Sequence, residues 1–221
     1  PTGIQIAADG TVYASTSGGL LAFNPSTEEF NFIKTEQGLI YLDLSTIEMD
    51  GQGRLWLGGA YPNGYLQVYD PDNGLVRKIT HLDEVAQIKL IRIGTQKAYA
   101  AYEGATSSDV GILEFDLDKS DLPDYHDYYT NISTETITEI RDFDLFQDSI
   151  LYVTTDQGIF VGYESDNLKL SESWNIVYEE KNARQFLPGD SPIALLDSSI
   201  LYHKEGNWVA DCASGFTGQA I

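Results

Sequence analysis

The sequence predicts an all-β fold, a β-propeller of about five four-stranded antiparallel blades, on three observations. Aromatic-centred strands recur as TVYAST around Tyr13, RLWLGG around Trp56, KAYAAY around Tyr99, ILYVTT around Tyr152 and ILYHKE around Tyr202, at intervals of 43, 43, 53 and 50 residues. Glycines recur beside them, with Gly19, Gly64, Gly111 and Gly158 spaced by 45, 47 and 47 residues. Within one interval, strands and turns alternate in the order a blade requires. A blade takes roughly 40–50 residues and buries both faces only by stacking on neighbours, so a period of this length calls for several blades.

The second repeat unit, 39–85, is the most legible. LSTIEM (Leu44 to Met49) is a first strand, Asp50-Gly51-Gln52-Gly53 a turn and RLWLGG the second strand. A loop through Pro62-Asn63-Gly64 leads to YLQVYD, and Pro71-Asp72-Asn73-Gly74 turns into LVRKIT as the fourth strand. The first unit, 3–38, repeats it as GIQIAA, TVYAST, LLAFNP and EEFNFI. In units 86–135 and 136–183 the third strand returns as GILEFD and GIFVGY, each opened by one of the periodic glycines. Positive φ at the mouth of a tight hairpin is the expected reason for those glycines. The segment Lys119 to Thr134, DKSDLPDYHDYYTNIS, lengthens the third unit and is expected to extend an outer hairpin. In the fifth unit, 184–221, PIALLD, ILYHKE and NWVADC read as strands and GFTGQAI as a poor fourth strand. Either the propeller closes at five blades with an atypical last one, or the segment belongs to a ring of six to eight; five is the reading preferred.

Composition bounds the function. The 221 residues are 42% hydrophobic and 12% aromatic, enough to bury a substantial core in one domain or in a piece of a larger one. Thirteen Lys and Arg against 34 Asp and Glu give a net charge of −21, a field that repels phosphate backbones and argues against nucleic acid. No apolar run approaches the roughly 20 residues of a membrane span. The single cysteine, Cys212, can form neither an internal disulfide nor a cysteine zinc cluster, and is expected to be a small buried side chain of the last blade. The chain opens Pro-Thr-Gly-Ile, with neither a starting Met nor a secretory signal pattern, so it is expected to be a processed or excised segment of a longer protein with other domains.

The string TEQGLIYLDLSTIEMDGQGRLWLGG from Thr35 resembles the repeat of two-component-regulator propellers. There a Gly-Leu (here Gly38-Leu39), a small polar turn residue (Ser45), an Asp-x-x-Gly turn (Asp50 to Gly53) and a Leu-Trp-Leu-Gly strand (Leu55 to Gly58) follow in that order. In the other units Tyr replaces Trp. VYASTSGGLLAFNPSTEEF, GILEFDLDKSDL and ILYVTTDQGIF followed by SESW are similar, in order, to the amino-terminal propeller of PorZ-like surface proteins associated with type IX secretion. That resemblance implies an extracytoplasmic, non-enzymatic module, in the periplasm, at the cell surface or secreted, that recognises a surface polysaccharide or a secretion-system protein. Two alternatives remain open: a periplasmic sensor domain of a two-component regulator, and a propeller-type lyase or hydrolase.

Catalytic signatures are not found. His81, His126 and His203 belong to different units without ligand spacing, and neither a Gly-x-Ser-x-Gly elbow nor a His-Glu-x-x-His pair occurs. The Asp-rich stretch Asp70 to Gly74 lacks the full calcium-loop pattern and reads as a turn, so neither metal nor cofactor is expected. Ligands of propellers sit on the loops at one channel mouth, here Gln37 to Ser45, Gly58 to Gly64, Tyr102 to Gly111, Asp156 to Gly158 and Asn182 to Ser191. The candidate ligand-binding residues on these loops are Tyr41, Asp43, Tyr61, Asn63, Tyr102 and Arg184, whose rings and polar groups suit sugar faces and hydroxyls. Arg92 and Arg141, on or beside innermost strands, are candidate anion anchors or partners of nearby carboxylates such as Asp142.

Overall fold

The computed structural model describes residues 2–106, 108–187, 191–204 and 207–211. Among them are five four-stranded antiparallel sheets, each a meander of consecutive strands. The chain divides into two compact units, Pro1–Thr130 and Asn131–Ile221. The first unit contains sheets β1 (Gly3–Ile6), β2 (Val12–Thr16), β3 (Gly19–Asn24), β4 (Glu29–Ile33); β5 (Leu44–Met49), β6 (Leu55–Gly59), β7 (Tyr65–Asp70), β8 (Leu75–His81); and β9 (Gln87–Ile93), β10 (Lys97–Glu103), β11 (Val110–Leu117), β12 (Pro123–Tyr129). The second contains β13 (Ile140–Phe146), β14 (Ile150–Thr155), β15 (Gly158–Tyr163), β16 (Trp174–Tyr178) and β17 (Ala183–Leu187), β18 (Ile193–Leu196), β19 (Ile200–Lys204), β20 (Asn207–Asp211).

Burial explains why the middle strands read as mostly apolar runs, with Gln67 and Asp70 buried among them in β7. Every residue of β6 and β7 is buried, because both faces of these strands are covered by neighbouring sheets. One core lies between the first and second sheets around Leu20, Leu44, Leu57 and Tyr65. A second joins the second and third sheets through Trp56, Leu66, Val68, Ile91, Leu113 and Phe115. In the other unit Ile159 packs with Ala183, Phe186, Ala194 and Leu201. Outermost strands are exposed instead: all of β4 except Ile33 is exposed, Phe30 and Phe32 included.

The expected positive φ accounts for two of the four periodic glycines, and a second cause is shared by all four. Positive φ is found at Gly19 (114°) and Gly158 (136°) but not at Gly64 or Gly111. Common to all four is the close approach of a backbone carbonyl from the returning outer segment. A Cβ would lie 2.7 Å from the oxygen of Ile33 at Gly19, 2.7 Å from that of Val85 at Gly64 and 2.6 Å from that of Tyr129 at Gly111, and would collide with that of Tyr178 at Gly158.

Two strand assignments are corrected. DYHDYY is not an extension of a hairpin but lies in β12, the ordinary fourth strand of the third sheet, polar because it is outermost. In the fifth sheet the first strand is Ala183–Leu187, within a segment read as loop, so Tyr202 lies on the third strand rather than the second and Asn207–Asp211 is the fourth. A β-bulge at Arg184 sets two exposed polar residues, Arg184 and Gln185, between buried Ala183 and Phe186, which erases the alternation by which a strand is recognised. Cys212 and the GFTGQAI tail lie outside the described residues.

Bulges of this kind recur at the start of the first strands. Pairing skips Ser45 in β5, Lys89 in β9, Arg141 in β13 and Arg184 in β17. The freed side chains of Ser45 and Arg141 stitch one sheet to the next. Ser45 Oγ donates to the Ile88 carbonyl (2.5 Å) and Arg141 Nη1 to that of Ala183 (3.1 Å), and Thr2 Oγ1 makes the corresponding bond to Leu44 (3.0 Å).

Candidate functional site

The third sheet builds the site through a second bulge. Glu114 pairs with Asp127 and Phe115 with Tyr125, leaving His126 unpaired in β12. Skipping one residue restores the same face to Tyr125 and Tyr128, which oppose Phe115 and Leu113. Tyr102, opposite Gly111 on β10, shares that face. The link 82–86 that leaves β8 crosses above it, anchored by buried Leu82 and Val85, whose backbone pairs with Gly64. The result is a cleft of about 320 Å³ whose walls include Tyr102, Tyr125, Tyr128, Asp83, Glu84 and Asp109.

Its electrostatics are negative. Tyr102 is buried, and that burial, with the Asp109 carboxylate next in effect, pushes its phenol up to about 12, so it stays neutral and able to donate at physiological pH. Tyr125 and Tyr128 are 47% and 51% exposed, with Tyr125 edge-on to Phe115 at 6.1 Å. Rings with one free face beside carboxylates can stack on a flat apolar surface and accept hydrogen bonds from its substituents.

Of the residues expected from sequence, Tyr102 lies in the cleft and Tyr41 next to it. Tyr41 packs on Tyr65 at 4.6 Å and meets His81, itself part of the cleft wall, edge-on at 5.6 Å. The Tyr41 loop is pinned from below, since buried Gln67 donates to the Tyr41 carbonyl (2.7 Å) and the Tyr65 hydroxyl to that of Asp43 (2.9 Å). Burial and the neighbouring Asp43 carboxylate raise the Tyr65 phenol well above its ordinary range. Tyr61, 75% exposed, and Asn63 lie on the β6–β7 loop and do not line the cleft.

The arginines serve the framework. Arg92 stands 3.9 Å from Glu48, which accepts from Gln5 at 3.2 Å, a polar ladder across the first strands of three successive sheets. Arg141 binds Glu139 (2.8 Å) and the Lys181 carbonyl (2.8 Å) besides Ala183, and Arg184 pairs with Asp197. Asp142 is not the partner of Arg141 in these bonds; buried between strands, it accepts from the amides of Phe143 (2.9 Å) and Phe186 (2.8 Å). The Asp70 turn is likewise occupied, by Arg77 (2.6 Å) and Asn73 (2.8 Å). Among the described residues no group of three or more His, Cys, Asp or Glu side chains is placed to hold a metal ion.

Tyr125, Tyr128, Asp83 and Glu84 were not singled out by sequence. The signal was the tyrosine density of DYHDYY, whose common face depends on a bulge that sequence alone does not display.

Neither a protein-family model nor a curated protein matches the chain. Among solved structures it is similar to PorZ, an essential bacterial surface component of the type IX secretion system of Porphyromonas gingivalis, with TM-score 0.67 and 16% identity over 95% of this chain and 27% of that one. It is also similar to the extracellular domain of a hybrid two-component system of B. thetaiotaomicron, with TM-score 0.65 and 13% identity over 95% of this chain and 28% of that one. Hydrazine synthase of Kuenenia stuttgartiensis is similar too, with TM-score 0.61 and 12% identity over 97% of this chain and 72% of that one. The chain thus spans only 27% and 28% of the lengths of the first two. At such identities the likenesses establish the fold, and with the five meander sheets they make the chain a β-propeller of about five four-stranded antiparallel blades.

Proposed function

We propose that the chain is an extracytoplasmic recognition module that binds a surface glycan without transforming it. The observation that carries this reading is the cleft in which Tyr102, Tyr125 and Tyr128 share one face of the third sheet beside Asp83, Glu84 and Asp109. The rings cover the apolar face of a sugar and the carboxylates accept from its hydroxyls. Fold likeness to a surface component of a secretion system and to the extracellular domain of a two-component system supports the extracytoplasmic setting. The second of these likenesses also supports a sensor role, which would use the same cleft to detect its ligand.

A thermal-unfolding screen against surface polysaccharides tests the reading, because a ligand of the folded state raises its midpoint. The expected result is a rise with at least one polysaccharide that disappears in Tyr128→Ala while the unliganded midpoint stays within a few degrees, Tyr128 being half exposed. A rise undiminished in Tyr128→Ala and Tyr102→Phe would move binding elsewhere. A rise only with a protein partner would replace the glycan.

A further inference from the structure

We infer that the ligand of the tyrosine cleft is a glycan carrying free, protonated amino groups; this deepens the glycan reading and rests on it. Three carboxylates line the cleft, and among the described residues neither Lys nor Arg does. The basic side chains near these strands are engaged elsewhere: Lys89 with Glu103 (3.0 Å), Lys97 with Glu114 (2.8 Å), Lys78 with Asp124 and Arg77 with Asp70 (2.6 Å). Among the described residues no basic side chain pairs with Asp83, Glu84 or Asp109. The cleft therefore offers negative charge and electron-rich ring faces together, the combination that attracts an ammonium group by Coulomb and cation–π terms. The raised phenol of Tyr102 is a second sign of that field, since after burial its cause is the carboxylate of Asp109.

An anionic sugar chain would meet three carboxylates with neither a Lys nor an Arg beside them, His81 being the cleft's one imidazole among the described residues, and a neutral one would leave their charge unused. The layout of the rings favours a sugar chain over a peptide's lysine. Tyr125 and Tyr128 follow one another along a single outer strand, each about half exposed, and make an open track for repeating rings rather than a closed cage for one side chain. At about 320 Å³ the cleft lies at the lower end of small-ligand sites, and it would grip a short stretch of such a chain.

Titration calorimetry at low salt and mildly acidic pH tests the inference with three oligosaccharides: a fully deacetylated glucosamine oligomer, its N-acetylated counterpart and an oligouronate. The deacetylated oligomer should bind about ten-fold or more tightly than the acetylated one, and the uronate least. Asp83→Asn with Glu84→Gln, both on exposed positions, should weaken the deacetylated oligomer about ten-fold without lowering the thermal midpoint. If the acetylated oligomer or the uronate binds as tightly as the amine, the amine inference falls and the glycan reading stands. If none of the oligomers binds, both fall. Binding of the amine undiminished in the double variant would trace to the general charge of −21 and overturn the inference, as would capture of a lysine-rich peptide when the oligomers do not bind.

Discussion

Carboxylates in this chain divide by environment, and pH separates them. Burial by itself would raise the carboxyl of Asp156. Hydrogen bonds from the Thr138 hydroxyl (2.8 Å) and from the amides of Thr138 (3.1 Å) and Glu139 (3.4 Å) outweigh that effect and hold it below its ordinary value. A carboxyl whose folded pKa is depressed contributes stability that is present above the unfolded value of about 3.9 and disappears as pH falls through the folded one. Asp156→Asn should therefore be less stable than the parent at neutral pH and converge on it at the acid end of the curve. Chemical denaturation at closely spaced pH values between 7 and 2 measures the gap; a constant gap would mean the bonds to Asp156 are neutral in effect. Glycines offer a second test at this scale. Gly111→Ala places a methyl 2.6 Å from the Tyr129 carbonyl and should cost about 1–3 kcal/mol. Gly51→Ala, with open space around it, should leave the urea midpoint nearly unchanged.

Between elements, the turn of the second sheet clasps the third. Asp50 accepts from the amides of Gln52 (2.9 Å) and Arg54 (3.0 Å), from Trp56 Nε1 (3.1 Å) and from Arg54 Nε (2.6 Å). The rest of the Arg54 guanidinium donates to the carbonyls of Ser120 and Asp121, each at 2.8 Å, across the β11–β12 turn. The Asp-x-x-Gly turn and the Trp strand that resembled a family repeat are thus a structural latch. Its spacing is explained by reach: Asp50 must touch both a side chain four residues on and one six residues on. Arg54 is buried, so Arg54→Ala leaves the buried Asp50 carboxylate without its cationic partner and two carbonyls without their donor, and should cost about 3 kcal/mol by urea denaturation. Arg54→Lys should recover only part, because an ammonium cannot span Asp50 and both carbonyls as the planar fork does.

At the scale of the molecule the net charge of −21 dominates. Mutual repulsion among surface carboxylates destabilises the compact state and is screened by salt over roughly 10 Å at 0.1 M. The thermal midpoint should accordingly rise by a few degrees between about 10 and 150 mM sodium chloride. An unchanged midpoint would show that local pairs such as Arg54–Asp50 and Lys97–Glu114 already offset the field. The same field tells on ligand choice, since it weakens every anionic candidate before contact is made.

Sequence alone determined the repeat and most of its strands, because burial of both faces of β6 and β7 forces mostly apolar and aromatic runs that the sequence displays directly. It identified Tyr102 and Tyr41 as binding candidates from their loops. What it could not display were the bulges. Ser45, Lys89, Arg141, Arg184 and His126 each drop out of pairing, and a one-residue slip reassigns every side chain beyond it to the opposite face. That slip hid β17 among polar residues and turned an apparent insertion into the outer strand carrying Tyr125 and Tyr128. It also brought Arg141 to framework partners, Ala183 of the next sheet among them, and left Arg184 exposed beside Asp197. Where a side chain points in a strand is settled by pairing with a neighbour, and the neighbour is supplied only by the tertiary fold.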